Sequence, residues 1–281
     1  MFDCFMFNDE LDLLELRLNM LSPVVEKFVI VESDKTHSGL PKPFNFLENK
    51  KRFESWLPKI IYLQYPGGGV ASGINAWGNE NSQRNKILDA LSINKPSDGL
   101  LFISDADEIP SPEKLMESRD ICLKNDGKPI VLDLFNCMYF MNFSAEVPYK
   151  GAFIHNPDKA KEFQALFGNF RHLPTDIRWH VSAVGYEKDF ISIPEAGWHF
   201  STIGDLDQIR RKISSYAHLE FNTVDTLSET HLLKCIAEGI PYFEKDYKFQ
   251  PDDLRFTKQP VSFLPKYVQS NIAKYRKYIL F

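Results

Sequence analysis

The chain has 281 residues, of which 43% are hydrophobic and 25% charged, an ordinary composition for a globular protein with a sizeable core. This length allows one large α/β domain or two smaller ones. The formal net charge of −5 at pH 7 does not suggest a nucleic-acid-binding surface. No segment approaches about 18 consecutive apolar residues, and acidic residues come too early for a signal peptide, so we expect no transmembrane segment.

The four cysteines indicate a reducing environment. Cys4, Cys122, Cys137 and Cys235 are far apart in the chain, and no two of them form a C-x-x-C pair. This spacing is not typical of a disulfide framework or of a zinc site. We therefore predict reduced thiols in a cytoplasmic protein.

Strand and helix patterns alternate along the first third of the chain. The unbroken apolar run FVIVES is typical of a buried parallel strand, and the leucine stripe of ELDLLELRLNML is typical of a helix. This β-α-β order predicts an α/β fold with a mostly parallel central sheet flanked by helices. The predicted strands are 2–7, 28–33, 59–65 and 100–104, and the predicted helices are 10–21 and 79–91.

The remainder of the chain shows fewer clear patterns. The aromatic and apolar segment 129–143 predicts one or two core strands, whereas 144–190 has no clear period. Segment 205–221 predicts an amphipathic helix, and 229–239 predicts a further helix that ends at its glycine.

Two features of the chain have both a functional and a structural interpretation. The glycine-rich segment 66–73 lacks the G-K-[ST] of a phosphate loop, so it is either a loop that closes over a ligand or a flexible connector. Trp179 and His180 are candidates for a sugar-stacking platform, against the commoner role of a buried structural tryptophan.

Polar side chains follow three of the predicted strands where each strand ends. The carboxyl ends of parallel strands meet at one edge of a sheet, and open α/β sheets bind ligands at that edge. The groups expected there are Asn8 and Glu10 after the first strand, Glu32, Ser33 and Asp34 after the second, and Asp105, Asp107 and Glu108 after strand 100–104.

The sequence LFISDADEIP places Asp105 and Asp107 directly after an apolar strand. Residues two apart in an extended segment share a side, and two close carboxylates raise one pKa unless a cation lies between them. Mg²⁺ and Mn²⁺ take oxygen ligands and keep positions open for phosphate oxygens. The motif therefore predicts a metal that holds a diphosphate. The alternative is a solvated acidic turn before Pro110, because a short D-x-D occurs often by chance.

Arg84 lies in the sequence QRN, inside the helix that precedes the acidic strand. Its guanidinium could pair with the carboxylates or with a phosphate, because a planar fork of donors matches both. The alternative is an arginine on the helix surface, which is commoner for the residue taken alone.

The chain carries a set of motifs in a distinctive order: FMFNDELDLLELRLN, FVIVESDKTHSG, PKPF, QRN, SDADEIP and AGWHFS. This set resembles glycosyltransferase family 17, the β-1,4-mannosyl-glycoprotein β-1,4-N-acetylglucosaminyltransferases, from about residue 2 to LPKY at 264–267. The resemblance implies one GT-A-type catalytic domain over 1–281. Its nucleotide-sugar-binding half would cover about 1–110 and its acceptor-binding half about 111–281.

The resemblance also implies a site, with a nucleotide-sugar donor (UDP-N-acetylglucosamine), a glycan acceptor, and Mn²⁺ or Mg²⁺ as cofactor. The metal ligands would be Asp105, Asp107 and His199, with contact to a phosphate as the alternative for His199. Glu32, or Asp34 as second choice, would contact the base or ribose, and Trp198 would stack on a sugar or base. The donor-binding residues would be Asn8, Glu10, Glu32, Asp34, Arg84, Asp105 and Trp198.

An α-linked donor and a β-linked product imply a single inverting displacement, in which a carboxylate takes the proton from the acceptor hydroxyl. The candidates for this base are Glu220, Glu108 and Glu195. Glu220 ranks first because it follows the His199 segment on a predicted helix. Glu108 could instead hold the acidic turn by accepting backbone N–H groups, and Glu195 could be a surface acid.

Two other classes of protein compete with the transferase. A phosphatase of the haloacid-dehalogenase type also has D-x-D at a strand end. That class, however, needs Thr or Val where this chain has Ile109, and it places the motif on the first strand. A non-catalytic carbohydrate-binding protein would account for the aromatic content of 14%. The transferase accounts for more of the motifs than either alternative.

Overall fold

The computed structural model describes residues 1–67, 76–159, 174, 178, 190–243 and 254–281. Trp179, His180 and most of the glycine-rich segment 66–73 lie outside these described residues. The described strands form one sheet. They are β1 (Phe2–Phe7), β2 (Lys27–Ser33), β3 (Ile60–Tyr65), β4 (Leu101–Asp105), β5 (Glu108–Pro110), β6 (Ile130–Tyr139), β7 (Phe143–His155), β8 (Ile191–Ile203) and β9 (Phe256–Lys258).

The sheet is mixed, with the strand order β3-β2-β1-β4-β7-β6-β8-β5 and β9 paired to β7. Strands β1 to β4 are parallel to one another, as the sequence predicts. Beyond β4 the prediction of a mostly parallel sheet is not confirmed. Strands β6 and β8 are parallel, but β5 runs antiparallel to β8, and β7 runs antiparallel to both β4 and β6. The physical reason is the connection between β6 and β7, which at residues 140–142 is too short for a crossover.

Helices cover both faces of the sheet. The described α-helices are α1 (Leu11–Leu21), α2 (Asn45–Glu48), α3 (Ala76–Asn85), α4 (Ala90–Ile93), α5 (Pro112–Lys124), α6 (Leu206–Ser215), α7 (Glu229–Glu238), α8 (Lys266–Ser270) and α9 (Ile272–Tyr275). Short 3₁₀ segments lie at Lys50–Lys59, Lys86–Asp89, Pro157–Lys159, Leu219–Phe221, Val261–Phe263 and Arg276–Tyr278.

Strand β1 is buried on both faces, and its sequence FDCFMF is apolar apart from Asp3, which is also buried. Phe5 and Phe7 pack in the core formed with α1, α5 and α8, whereas Phe2 and Cys4 pack in the core formed with α4 on the other side. This alternation follows from the two-residue period of a strand. Both cores hold the carboxyl ends of the parallel strands in place.

Two predicted helices differ from the observed ones. The helix predicted over 79–91 is interrupted, because the 3₁₀ segment Lys86–Asp89 lies between α3 and α4. The helix predicted over 205–221 ends at Ser215, because Tyr216 adopts an extended backbone. Glu220 therefore lies in a 3₁₀ turn and not in a helix.

The four cysteines are all free, as the sequence predicts, and the structure shows that all four are buried. In the part of the chain that the structure describes, no helix has both the length and the apolar character needed to cross a bilayer. The cytoplasmic location and the division into donor and acceptor halves stay predictions.

Candidate active site

A cavity of about 650 Å³ opens at the carboxyl ends of β1, β2 and β4. The polar groups predicted at this edge after β1 and β4 line the cavity, namely Asn8, Glu10, Asp105 and Asp107, whereas Glu32, Ser33 and Asp34 after β2 do not. Helices α3 and α6 contribute further side chains to its wall. The predicted site residues that line the cavity are Asn8, Glu10, Arg84, Asp105, Asp107 and His199.

The acidic motif forms a tight turn between β4 and β5 rather than an extended segment. Glu108 Oε2 accepts a hydrogen bond of 2.9 Å from the Asp105 N–H. The buried Arg17 guanidinium donates to the carbonyl oxygens of Asp105 and Glu108, each at 2.9 Å. The turn gives Asp105 and Asp107 different ion-pair partners, although both side chains line the cavity.

Asp105 is held by two arginines. Arg84 Nη1 lies 2.6 Å from Asp105 Oδ1, and Arg178 Nη2 lies 2.8 Å from Asp105 Oδ2. Burial opposes ionisation, but the Arg178 and Arg84 guanidinium groups outweigh it and hold the pKa of Asp105 well below its usual range. The predicted pairing of Arg84 with a carboxylate is therefore present.

Arg178 is a site residue that the sequence did not reveal. Its Nη1 donates 2.8 Å to Glu108 Oε2, and its Nη2 donates 3.1 Å to the Tyr149 hydroxyl. Both Arg178 and Tyr149 come from the segment 144–190, where no period or motif marks them. Tertiary folding brings them to the acidic turn.

Asp107 faces a lysine and a histidine. Lys212 Nζ lies 3.2 Å from Asp107 Oδ2, and His199 Nε2 lies 3.8 Å from Asp107 Oδ1. Lys212 Nζ also donates to Glu10 Oε1 at 2.6 Å. Burial, which exceeds the opposing effect of Lys212, raises the pKa of Asp107 above its usual value.

Lys212 was also missed, although its position in the sequence carries a signal. It lies on α6 between Ile209 and Ile213, which are both buried. A lysine beside the apolar stripe of an amphipathic helix is directed toward the core side, where its charge needs a partner. That argument alone could have placed it near the acidic groups.

His199 and Trp198 lie on opposite faces of β8. The His199 ring stacks on Tyr149 with 3.8 Å between ring centroids, and its Nδ1 is buried without a hydrogen-bond partner among the described residues. Trp198 packs against Phe135 and Phe263 and is not among the residues that line the cavity. Adjacent strand residues alternate between faces, which explains why GWHF brings only the histidine to the site.

An aromatic rim borders the other part of the cavity. His218 is central, with its ring centroid 4.6 Å from that of Trp77 and 5.5 Å from that of Phe221. Phe221 in turn stacks on Phe243 at 5.3 Å between centroids. The rim consists of Trp77, Tyr216, His218, Phe221, Tyr242 and Phe243.

Comparison with known protein families places the chain among enzymes. The family model described as glycosyltransferase family 17 matches residues 1–280. The chain belongs to glycosyltransferase family 17. The resemblance seen in the ordered motifs is thereby confirmed.

Curated relatives of this family 17 protein carry the name β-1,4-mannosyl-glycoprotein 4-β-N-acetylglucosaminyltransferase. The human and rat proteins are each 34% identical to it over 117 residues, which are 39% of this chain and 21% of each relative. The matched region thus spans about a fifth of the relatives' length.

Two solved structures of TarS residues 1–349 from S. aureus, one of them in complex with UDP, are also similar to this family 17 chain. Each is 10% identical, covering 84% of this chain and 72% of that one, with TM-scores of 0.38 and 0.40. Scores this low do not establish a shared fold.

In this family 17 protein, Asp107 and His199 are two side chains that could bind a metal ion. Among the described ranges, no three histidine, cysteine or carboxylate side chains form a group that could hold a metal ion. Mg²⁺ commonly takes only one or two carboxylates and fills its shell with phosphate oxygens and water. Asp107 offers one such carboxylate and the facing His199 would add a nitrogen ligand, whereas both oxygens of Asp105 already bind arginines.

The two acids predicted to contact the base or ribose do not line the cavity. Glu32 is fully buried and accepts hydrogen bonds from Tyr62, from Lys42 and from the N–H of Phe46, where α2 begins. Burial raises its pKa despite the nearby Lys42 ammonium. Asp34 accepts a 2.7 Å hydrogen bond from the Gly67 N–H. The hydrogen bonds accepted by Glu32 and Asp34 therefore stabilise the local backbone.

The three candidate bases differ in their surroundings. Glu220 has a half-exposed side chain and lies 2.7 Å from Nδ1 of His218, which lines the cavity. Glu108 is fully buried, binds Arg178 and accepts a hydrogen bond from the Asp105 N–H. It therefore has the alternative role that the sequence offered for it, which is to hold the acidic turn. Glu195 is exposed and does not line the cavity.

Proposed function

We propose that this protein is a metal-dependent inverting glycosyltransferase that moves N-acetylglucosamine from UDP-N-acetylglucosamine to a glycan hydroxyl with a β linkage. Membership of family 17 and the names of the curated relatives support this substrate class. The observation that carries the proposal is the meeting of Asp107, His199 and Lys212 at one end of the cavity. We also propose the GT-A class, which the four parallel strands and the acidic turn after β4 support.

The charged end of the cavity suits a diphosphate. Asp107 and His199 would hold the metal, which when bound would act as a Lewis acid on the departing diphosphate. Lys212 adds a fixed positive charge at the same place, and Arg178 adds another beside Asp105. Because these cations are already held by carboxylates, little reorganisation is needed when charge develops on the leaving group.

The aromatic rim suits the glycan acceptor. Aromatic faces present broad apolar surfaces that can pack against the C–H face of a sugar ring while polar neighbours bind its hydroxyls. Glu220 lies beside this rim through its contact with His218. We therefore propose that Glu220 takes the proton from the acceptor hydroxyl and that water is kept out by the rim.

The first test measures transfer by the purified chain with UDP-N-acetylglucosamine, a panel of mannose-containing glycans and Mn²⁺. We expect a β-linked product, identified by NMR, and loss of transfer in Asp107→Asn. The control variant is Asp207→Asn, which should transfer the sugar normally. The Asp207 side chain lies on α6, is 79% exposed and does not line the cavity. Glycan binding without nucleotide binding would instead support the carbohydrate-binding alternative.

The second test compares glutamine substitutions at two of the candidate bases, Glu220 and Glu195. Glu220→Gln should lower kcat by about 10²- to 10⁴-fold, the usual contribution of general base catalysis, with donor KM unchanged. Glu195→Gln is the matched control and should leave both constants unchanged. Equal rates in Glu220→Gln and the wild type would show that Glu220 is not the base.

A further inference from the structure

Lys212 occupies an unusual position between two carboxylates from different loops. Its Nζ is 2.6 Å from Glu10 Oε1 and 3.2 Å from Asp107 Oδ2. These three residues line both the main cavity and a second cavity of about 350 Å³. They therefore form a charged wall that separates the two cavities.

Glu10 fixes the lysine in this position. Its other oxygen, Oε2, accepts hydrogen bonds from the backbone N–H groups of Asn8 at 3.2 Å and Asp9 at 3.1 Å. Burial opposes its ionisation, but the Lys212 ammonium outweighs burial and lowers the pKa of Glu10. The carboxylate is thus ionised and held by the loop after β1, so it retains the ammonium beside Asp107.

We infer that Lys212 is a resident counter-ion of Asp107 that makes metal and diphosphate bind together rather than separately. This inference rests on the proposed function. A divalent cation that binds Asp107 alone meets the ammonium at short range, and the two like charges repel. A diphosphate supplies the negative charge that attracts both cations. The metal therefore binds weakly by itself and tightly with the nucleotide.

A merely structural lysine would behave differently. If Lys212 only joined α6 to the β1 loop, its removal would lower the melting temperature and leave metal affinity unchanged or weaker. The counter-ion role predicts instead that removal of the lysine strengthens metal binding in the absence of nucleotide. The direction of this change separates the two roles.

The experiment titrates Mn²⁺ into the full chain, with and without UDP, and measures free Mn²⁺ by electron paramagnetic resonance. Couplings between two ligands of one protein are commonly about 5- to 150-fold. We expect Lys212→Met to bind Mn²⁺ alone about 10-fold more tightly than the wild type, and to lose most of the enhancement by UDP. Lys114→Met, a lysine of α5 that lines neither cavity, is the matched control for loss of one positive charge.

A second variant acts in the opposite direction. Glu10→Gln removes the negative charge that partly neutralises the ammonium and leaves Asp107 as its remaining carboxylate, so Mn²⁺ alone should bind more weakly than to the wild type. Because the two variants shift affinity in opposite senses, a general loss of fold cannot imitate the result. Melting curves identify a variant that fails to fold, and Lys212→Gln then replaces Lys212→Met.

The inference is overturned if Lys212→Met and the wild type bind Mn²⁺ alone with equal affinity, or if neither binds it with UDP present. Failure of the proposed function has a separate signature, which is the absence of N-acetylglucosamine transfer by the wild type. Transfer with unchanged Mn²⁺ affinity in Lys212→Met would refute the counter-ion alone.

Discussion

Arg17 shows how one buried residue supports the candidate site. It is fully buried in α1 and donates to Asp3 Oδ2 at 2.8 Å and to Ser104 Oγ at 2.6 Å. The same guanidinium binds the carbonyl oxygens of the acidic turn. Burial raises the pKa of Asp3, although Arg17 opposes this effect. Arg17 thus satisfies a buried carboxylate and holds the turn that presents Asp107.

Arg17→Met should strongly destabilise the fold. It leaves the Asp3 carboxylate buried without its partner, which typically costs about 3–5 kcal/mol of unfolding free energy. Urea unfolding of the wild type and the variant at pH 7 measures the loss. The double variant Asp3→Leu with Arg17→Met should recover part of it, because no uncompensated charge remains. Equal losses in the single and double variants would contradict this explanation.

At the residue scale, the sequence correctly placed the acidic and amide groups after β1 and β4 at the cavity, but not Glu32 or Trp198. Asp105 and Asp107 line the cavity because they lie at the carboxyl end of β4, and His199 joins them because β8 pairs with β5. Trp198 does not, because strand residues alternate between faces. Glu32 was expected at the ligand but lies within the fold, where α2 begins over its carboxylate.

At the scale of elements, the pairing of β8 with β5 positions His199 beside the acidic turn. Glu108 pairs with His199, and Pro110 pairs with Gly197. A Cβ built on Gly197 would lie 2.3 Å from Pro110 Cα and 2.4 Å from the Ile109 carbonyl oxygen. Only glycine permits this pairing, because the contacts are with backbone that cannot move independently.

Gly197→Ala should therefore separate the two strands. Overpacking of this kind costs about 1–3 kcal/mol, and the displacement should also move His199 away from Asp107. Unfolding in urea measures the first effect, and the Mn²⁺ affinity in the presence of UDP measures the second. A variant with unchanged stability and unchanged Mn²⁺ affinity would show that the strands tolerate the methyl group.

Over the whole molecule, ion pairs join the C-terminal segment to α1 beside the site. Asp12 Oδ2 accepts a 2.7 Å hydrogen bond from the Tyr278 hydroxyl and lies 3.0 Å from Lys277 Nζ. Asp12 Oδ1 pairs with Arg52. Burial opposes ionisation, but the hydrogen bonds from Arg52 and Tyr278 outweigh it and hold the pKa of Asp12 well below its usual range.

Asp12→Asn should lower the unfolding free energy by about 1 kcal/mol at pH 7, because the carboxylate is a quarter exposed and its pairs are partly screened. A lowered folded-state pKa gives stability above the unfolded pKa of about 3.9, and this stability is lost as the pH falls from there. The difference between wild type and variant should therefore shrink below about pH 4. Urea unfolding at pH 7, 5 and 3 checks this. Asp207→Asn is the control, and its unfolding free energy should differ little from that of the wild type because the Asp207 side chain is exposed.

The sequence by itself determined the parallel strands β1 to β4, helix α1, the acidic turn after β4 and the family. These depend on local periodicity and on motifs whose residues are adjacent in the chain. Only the tertiary structure decided the mixed second half of the sheet, where β6 and β8 are parallel but β5 and β7 run antiparallel to their neighbours. It also decided the break after Ser215 and the positions of Arg178 and Lys212 beside the carboxylates. The positions of Arg178 and Lys212 depend on contacts between residues far apart in sequence. The amphipathic pattern around Lys212 indicates that its charge needs a partner, but no local pattern specifies which carboxylate that partner is.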